Sequence, residues 1–241
     1  MTTFRFARLA LLAAAALAFA STGANAGWWD RDGGRGSIKD GPYSRAETWS
    51  GFHVGVNAGG AWTDLGWDNV SLTGEPIKND SSGFIGGGQI GYDWQLGQFV
   101  VGVEASLSGT SLSDTANSAV PGITFSTDIN WLSTITGRVG YASDRWLIYV
   151  KGGWASAGMT LKGNNPGAPD SFSKDHTADG WVIGTGAEYR LTHNVSLGLE
   201  YSFIDLGKDN VFGTTAAALP YVITGVDTQI QSVTARLNFR F

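Results

Sequence analysis

The chain closes on Ser232–Phe241, SVTARLNFRF. Val233, Ala235, Leu237, Phe239 and Phe241 share one parity, and Thr234, Arg236, Asn238 and Arg240 the other. Strict alternation over ten residues describes a strand whose two faces meet different surroundings. The split recurs upstream. Phe99, Val101, Val103, Ala105 and Leu107 stand against Gly102, Glu104, Ser106 and Ser108. Trp181, Ile183, Ala187, Tyr189 and Leu191 stand against Glu188 and Arg190, and Val195, Leu197, Leu199, Tyr201 and Phe203 against Glu200 and Ser202.

These segments belong to a repeat. Gln89-Ile90-Gly91-Tyr92, Arg138-Val139-Gly140-Tyr141 and Gly186-Ala187-Glu188-Tyr189 share a layout, and one further step reaches the C-terminal run. A second set runs through FHVGV at Phe52, FVVGV at Phe99, IYVKG at Ile148 and VSLGL at Val195. The tyrosines stand 49 and 48 residues apart, and periods of that size usually mean solenoids or propellers. Here each of four units holds two alternating segments of about ten residues, the length of a membrane-crossing strand. Short turns fall at Leu96-Gly97, Ser143-Asp144 and His193-Asn194, and polar stretches at 63–81, 110–127, 161–178 and 207–227. The pattern predicts eight strands, at about 50–62, 82–95, 98–109, 128–142, 145–160, 179–191, 195–206 and 229–241. The fold expected is an all-β, eight-stranded antiparallel up-and-down transmembrane β-barrel with long extracellular loops and short periplasmic turns. An even strand number closes antiparallel and leaves no edge.

The charged parity is crowded with glycine: Gly51, Gly55, Gly59, Gly87, Gly91, Gly102, Gly140, Gly153, Gly184 and Gly186. Glycine weakens a strand that faces water. It suits the lumen of an eight-stranded barrel, which is just wide enough for side chains. The charged face is therefore expected inside, as a network of Asp93, Glu104, Glu188 and Glu200 with Arg138, Lys151, Arg190, Arg236 and Arg240. Near-cancelling charge is what a low-dielectric interior demands. Aromatics are expected in two girdles at the membrane interfaces. Tyr92, Trp94, Tyr141, Trp146, Tyr189, Phe239 and Phe241 lie beside the short turns or the C-terminus. Trp62, Trp131, Trp154, Trp181 and Phe203 lie nearer the polar stretches.

GGGQIG at 86–91 fits G-x-G-x-x-G, yet no buried strand precedes it and no helix follows, so a dinucleotide site is not expected. With 35 glycines in the chain the pattern arises readily by chance. These glycines are read as space and curvature inside the barrel. Cysteine is absent, which removes disulfides and thiolate metal sites. His53, His176 and His193 do not have the spacing of a metal set. G-x-S-x-G and HExxH are missing, and His176 beside Asp175 and Asp179 is read as a solvated loop. No enzyme, cofactor or metal is expected.

Arg5 and Arg8, the apolar run LALLAAAALAFA, and Ala24-Asn25-Ala26 make a secretory signal cleaved after Ala26. Its loss removes two arginines from a chain of net charge −5, and an acidic product is a poor nucleic-acid binder. The organisation expected is 1–26 signal peptide, 27–48 flexible periplasmic segment and 49–241 outer-membrane barrel. No peptidoglycan-binding domain is expected after the last strand.

Specific blocks carry a resemblance. WSGFHVGVNAGGAW at 49–62, GGGQIGYDWQ at 86–95, FVVGVEA, GRVGY and SVTARLNFRF resemble blocks of alphaproteobacterial small outer-membrane β-barrel proteins, the outer-membrane immunogenic or porin-family proteins. His53 stands where that family usually has Tyr. The resemblance covers about 48–241 and implies residence in the outer membrane. It also implies that Phe239 and Phe241 act as an assembly signal for the barrel-assembly machinery. Three roles follow in order: a structural or surface barrel (envelope integrity, surface antigen) with a filled lumen, a narrow diffusion pore, and a surface-loop binder of haem or a host molecule. Outer-membrane lipid and lipopolysaccharide are the expected partners, with a homo-oligomer open. Acids such as Asp64, Asp68, Glu75, Asp80, Asp114, Asp170, Asp175, Asp179, Asp209 and Asp227 are read as solvated tips that could hold divalent cations beside lipopolysaccharide phosphates.

Overall fold

The computed structural model describes residues 48–70, 77–117, 124–164, 172–214 and 220–241. The signal segment with its Ala26 site, the 27–47 lead, and Glu75 and Asp170 lie outside the described residues. The described chain forms eight strands in one closed antiparallel barrel. They are β1 (Gly51–Val70), β2 (Ile77–Leu96), β3 (Phe99–Asn117), β4 (Thr124–Ser143), β5 (Trp146–Asn164), β6 (Phe172–Arg190), β7 (Val195–Thr214) and β8 (Pro220–Arg240). β8 returns to β1, with His53 opposite Arg240 and Gly59 opposite Thr234. The turns after β2 and β4 open on Gly97 and Asp144, both with positive φ, as tight hairpins require.

The polar stretches read as long loops are largely strand. Each strand runs 19–21 residues, about twice what a membrane crossing needs. Alternation within the apolar segments revealed the crossing. Beyond it the strands continue with polar side chains outside, a pattern that hydropathy alone reads as loop. Outward Trp146 and Trp154 on β5, and Trp181 and Tyr189 on β6, are each eight residues apart. At about 3.3 Å per residue and about 40° tilt the girdles stand roughly 20 Å apart, near the height of an outer-membrane apolar band. Cross-strand register joins aromatics within each girdle: Phe52 with Tyr92, Phe99 with Tyr141, Trp146 with Tyr189, and Trp154 with Trp181. Trp62, Trp94, Trp131, Phe239 and Phe241 are also exposed on the outer surface.

Above the outer girdle the polarity inverts while the parity of most strands persists. Leu112, Ile129, Met159, Leu161, Ala178, Leu206 and Ile230 are buried in one apolar cluster, while Ser111, Ser113, Asn130, Thr177 and Asp179 are exposed. β4 changes parity at a bulge, because Ile129 pairs with Met159 and Trp131 with Gly158, leaving Asn130 as the extra residue.

The ladder also divides there. β2 and β3 pair only up to Ile85 opposite Thr110, and β6 and β7 only up to Trp181 opposite Asp205. The other six ladders continue outward. The outer half is thus two four-stranded sheets, β7-β8-β1-β2 and β3-β4-β5-β6, packed across the apolar cluster. Within lipid every backbone group needs a strand partner, so the barrel must close; outside lipid water can serve, and the seams open at the girdle. The glycines starting the two divergences, Gly83 and Gly180, occupy equivalent places in the repeat. Each approaches the opposing backbone closely: a Cβ on Gly83 would lie 2.6 Å from Ser111 O, and one on Gly180 would meet Leu206 Cα at 2.6 Å.

Candidate functional site

The lumen fills in three layers. At the periplasmic mouth Trp49, just before β1, is buried with Val100, Ala142, Leu147 and Tyr149. Its backbone N–H donates to Gln95 Oε1 at 2.6 Å, and its backbone carbonyl accepts from Arg240 Nη1. The Arg190 guanidinium lies 4.3 Å over its ring and that of Arg240 5.4 Å from it. Stacked cations and an apolar body suit an indole at a wet boundary.

The middle layer is ionic. Asp93 on β2, Glu104 on β3, Arg138 on β4, Lys151 on β5, Glu188 on β6, Glu200 on β7, and Arg236 and Arg240 on β8 are all buried. Period-2 geometry aims all eight inward, and the register sets them at neighbouring heights, with Arg138 opposite both Gly102 and Lys151. Arg138 donates from Nε to Asp93 Oδ1 at 2.8 Å and from Nη2 to Asp93 Oδ2, a forked pair. Its Nη1 reaches Glu188 Oε1 at 3.0 Å and Glu104 Oε2 at 3.4 Å. Arg236 pairs with Glu104 and Glu200, Lys151 Nζ lies 2.6 Å from Glu200 Oε1, and Arg240 Nη1 lies 2.8 Å from Asp93 Oδ2. Four carboxylates thus face four cations. Arg190 is turned to the mouth, where it donates to Thr48 O at 2.9 Å.

His53 and Tyr149 were not picked out by sequence reasoning. The His53 ring is fully buried between Asp93 and Glu104, with Nδ1 3.4 Å from Asp93 Oδ2 and Nε2 3.3 Å from Glu104 Oε2. The Tyr149 hydroxyl donates to Glu200 Oε2 at 2.7 Å and accepts from Arg236 Nη1 at 3.0 Å. Parity was the available signal: His53 shares its face with Gly55 and Gly59, and Tyr149 shares its face with Lys151. Glycine makes the room. A Cβ on Gly91 would lie 2.7 Å from His53 Cε1, and one on Gly186 2.6 Å from the Tyr149 ring. The stretch 86–91 divides, however. Gly87 and Gly91 face inward, whereas Gly86 and Gly88 share the outward parity of Phe84 and Ile90 and so do not make lumen space.

The third layer is an apolar roof, made by the outer ends of the predicted strands together with Leu112, Leu161 and Ala178 from stretches the sequence reading took for polar loop. Leu132, Ala155, Ala157, Met159, Leu161, Val182, Ile204 and Ile230 are buried in this one cluster, contributed by β4, β5, β6, β7 and β8. Between roof and ionic layer lies a cavity of about 40 Å³ lined by Asn57, Gln89, Ser106, Thr134, Glu200 and Arg236 among others. That volume holds about three waters. Among the described residues no group of three His, Cys, Asp or Glu side chains could hold a metal ion.

Residues 6–241 match the outer membrane protein beta-barrel domain family. The 31 kDa outer-membrane immunogenic protein of Brucella melitensis is 31% identical over 209 residues, covering 80% of this chain and 84% of that protein. The 22 kDa outer membrane protein of Rhizobium leguminosarum bv. viciae is 31% identical over 169 residues, 69% of each chain. Among solved structures, the outer membrane protein OprG from Pseudomonas aeruginosa superposes with a TM-score of 0.53 at 14% identity, over 80% of this chain and 97% of that one. A closed eight-stranded barrel with a lipid-facing apolar band, matched by a family across nearly its whole length, belongs to the outer-membrane β-barrel proteins, together with the outer-membrane immunogenic protein of Brucella and the outer membrane protein of Rhizobium.

Proposed function

We propose that this protein is a structural and surface component of the outer membrane whose lumen does not conduct. The observation that carries the reading is the apolar roof above the ionic layer, with the Trp49 floor beneath. An ion crossing the lumen would have to shed its hydration among Leu, Ile and Met side chains, a cost of many kcal/mol. On this reading the ion pairs hold the strands together beneath the apolar roof, and the protein is not an enzyme: its buried His53 and carboxylates bind one another, and among the described residues they face no substrate-sized cleft. Phe239 and Phe241 present the assembly signal, and the girdles and outer strands meet lipid and lipopolysaccharide. Planar-bilayer recording of refolded protein tests it. Silence from protein whose insertion is verified by its heat-dependent gel shift is expected, and stable current steps would establish the narrow-pore reading instead.

A further inference from the structure

Outside the lumen, β4 carries a feature that closing the barrel does not require. The bulge between Ile129 and Trp131 leaves Asn130 and Trp131 side by side, both exposed on the outer surface. Bulges re-aim side chains and recur beside functional sites. We propose that Trp131, with Asn130, Thr160, Asp175 and Thr177, binds the uncharged sugar headgroup of an outer-leaflet glycolipid. This site presupposes outer strands that meet lipid headgroups, as proposed above, and it stands whether or not the lumen conducts.

Trp131 stands apart from the girdle. Gly158 of β5 lies opposite it, and a Cβ there would come 2.9 Å from Trp131 Cδ1, so the glycine lets the indole lie across β5. Gly158 is four residues beyond Trp154 on the same strand. At about 3.3 Å per residue and about 40° tilt, that places the Trp131 ring roughly 10 Å farther from the membrane centre than the Trp154–Trp181 pair. Girdle tryptophans sit where acyl chains give way to headgroups. A ring set one further step out is at the level of the headgroups themselves.

Its neighbours select the ligand. Asn130 Nδ2 donates to Thr160 Oγ1 at 3.0 Å, and Thr160 Oγ1 donates to Asp175 Oδ1 at 2.9 Å. This chain crosses three strands and fixes an amide and a carboxylate on the surface, each with further capacity to accept. Thr177, exposed and opposite Gly158, adds a hydroxyl on β6. An exposed indole beside an amide, a carboxylate and a hydroxyl complements a pyranose: the sugar's C–H face packs on the negative π face, and its hydroxyls pair with the polar groups. Charge argues for an uncharged sugar. Lys162 Nζ lies 2.8 Å from Asp128 Oδ2 and also neighbours Asp175, and Asp179 is a third exposed or half-buried acid on this face. Three carboxylates against one lysine disfavour an anionic headgroup, and Lys174 has the opposite parity on β6.

The test uses the full barrel in phosphatidylcholine nanodiscs and follows the indole N–H resonances of isotope-labelled tryptophan. The Trp131 resonance is identified by its loss in Trp131→Leu. The probe is diglucosyl diacylglycerol, titrated into the bilayer. The Trp131 resonance should shift saturably with this probe and stay in place with diacylglycerol, which lacks the sugar, and with phosphatidylglycerol, which is anionic. Asn130→Ala and the Asp175→Asn/Thr177→Val double variant, folded by gel shift, should weaken binding about fivefold, as the loss of one or two hydrogen bonds does. Trp154→Leu, in the girdle below, should leave it unchanged. No shift, an equal shift with either control lipid, indifference to the polar variants, or an equal response to free maltose at the same sugar concentration would each overturn the proposal. Current steps in the bilayer recording bear only on the lumen, so the two readings fail separately.

Discussion

Arg138→Met is the sharpest test of the ionic layer. The guanidinium contacts three carboxylates, those of Asp93, Glu188 and Glu104, from a position 1% exposed. At 3.0 Å and an effective dielectric of about 20, each contact is worth roughly 5 kcal/mol of gross attraction, most of it offset by desolvation. Methionine keeps much of the volume, so the loss is electrostatic: four carboxylates remain against Lys151, Arg236 and Arg240. One uncompensated buried charge costs about 3–5 kcal/mol. Urea titration of barrels refolded into thin phosphatidylcholine vesicles, followed by tryptophan fluorescence, reads that loss. Adding Glu188→Gln removes one surplus negative charge and keeps an amide for Ser196 Oγ, which donates to Glu188 Oε2 at 3.0 Å. The double variant should therefore be more stable than Arg138→Met, by about 2 kcal/mol, while Glu188→Gln alone destabilises. A loss below about 1 kcal/mol for Arg138→Met, or additive losses in the double variant, would refute the reading, since solvated charges behave that way.

Leu161→Ala, fully buried in the roof, should cost about 2–5 kcal/mol in the same titration, as a cavity among packed apolar side chains does. Gly91→Ala places a Cβ 2.7 Å from the His53 ring and 2.6 Å from Val103 O and should cost about 1–3 kcal/mol, whereas Gly137→Ala, with nothing near its outward Cβ, should be close to neutral. Trp49→Ala removes the floor and the ring on which Arg190 and Arg240 stack. It should lower stability by about 3–5 kcal/mol and leave the bilayer silent because the roof remains; current from this variant alone would show that the floor is the only seal. Deleting Phe241 should lower the amount of folded protein in cell outer membranes several-fold while leaving refolding of purified protein unchanged.

Strand count, the inward charges and the two girdles were legible because a strand in a membrane barrel has a two-residue period and two unlike surroundings. SVTARLNFRF alone sorts Arg236 and Arg240 from Leu237 and Phe239. The same logic failed above Trp154 and Trp181. There the outer surroundings change from lipid to water, so the apolar residues Leu112, Leu161 and Ala178 face inward and polar residues outward, and low hydropathy looked like loop. His53 was legible by parity yet passed over, because a lone histidine on a strand carries no charge label.

Sequence by itself determined which residues of each membrane-crossing segment face in or out, since that follows from alternation along one strand. Only the tertiary structure decided what those residues meet: that Asp93 takes Arg138 as a forked partner, that Arg190 stacks on Trp49 at the mouth, and that two ladders part at the girdle. Register and curvature set these, bringing together side chains such as those of Asp93 and Arg138, 45 residues apart in the chain, which no local period encodes.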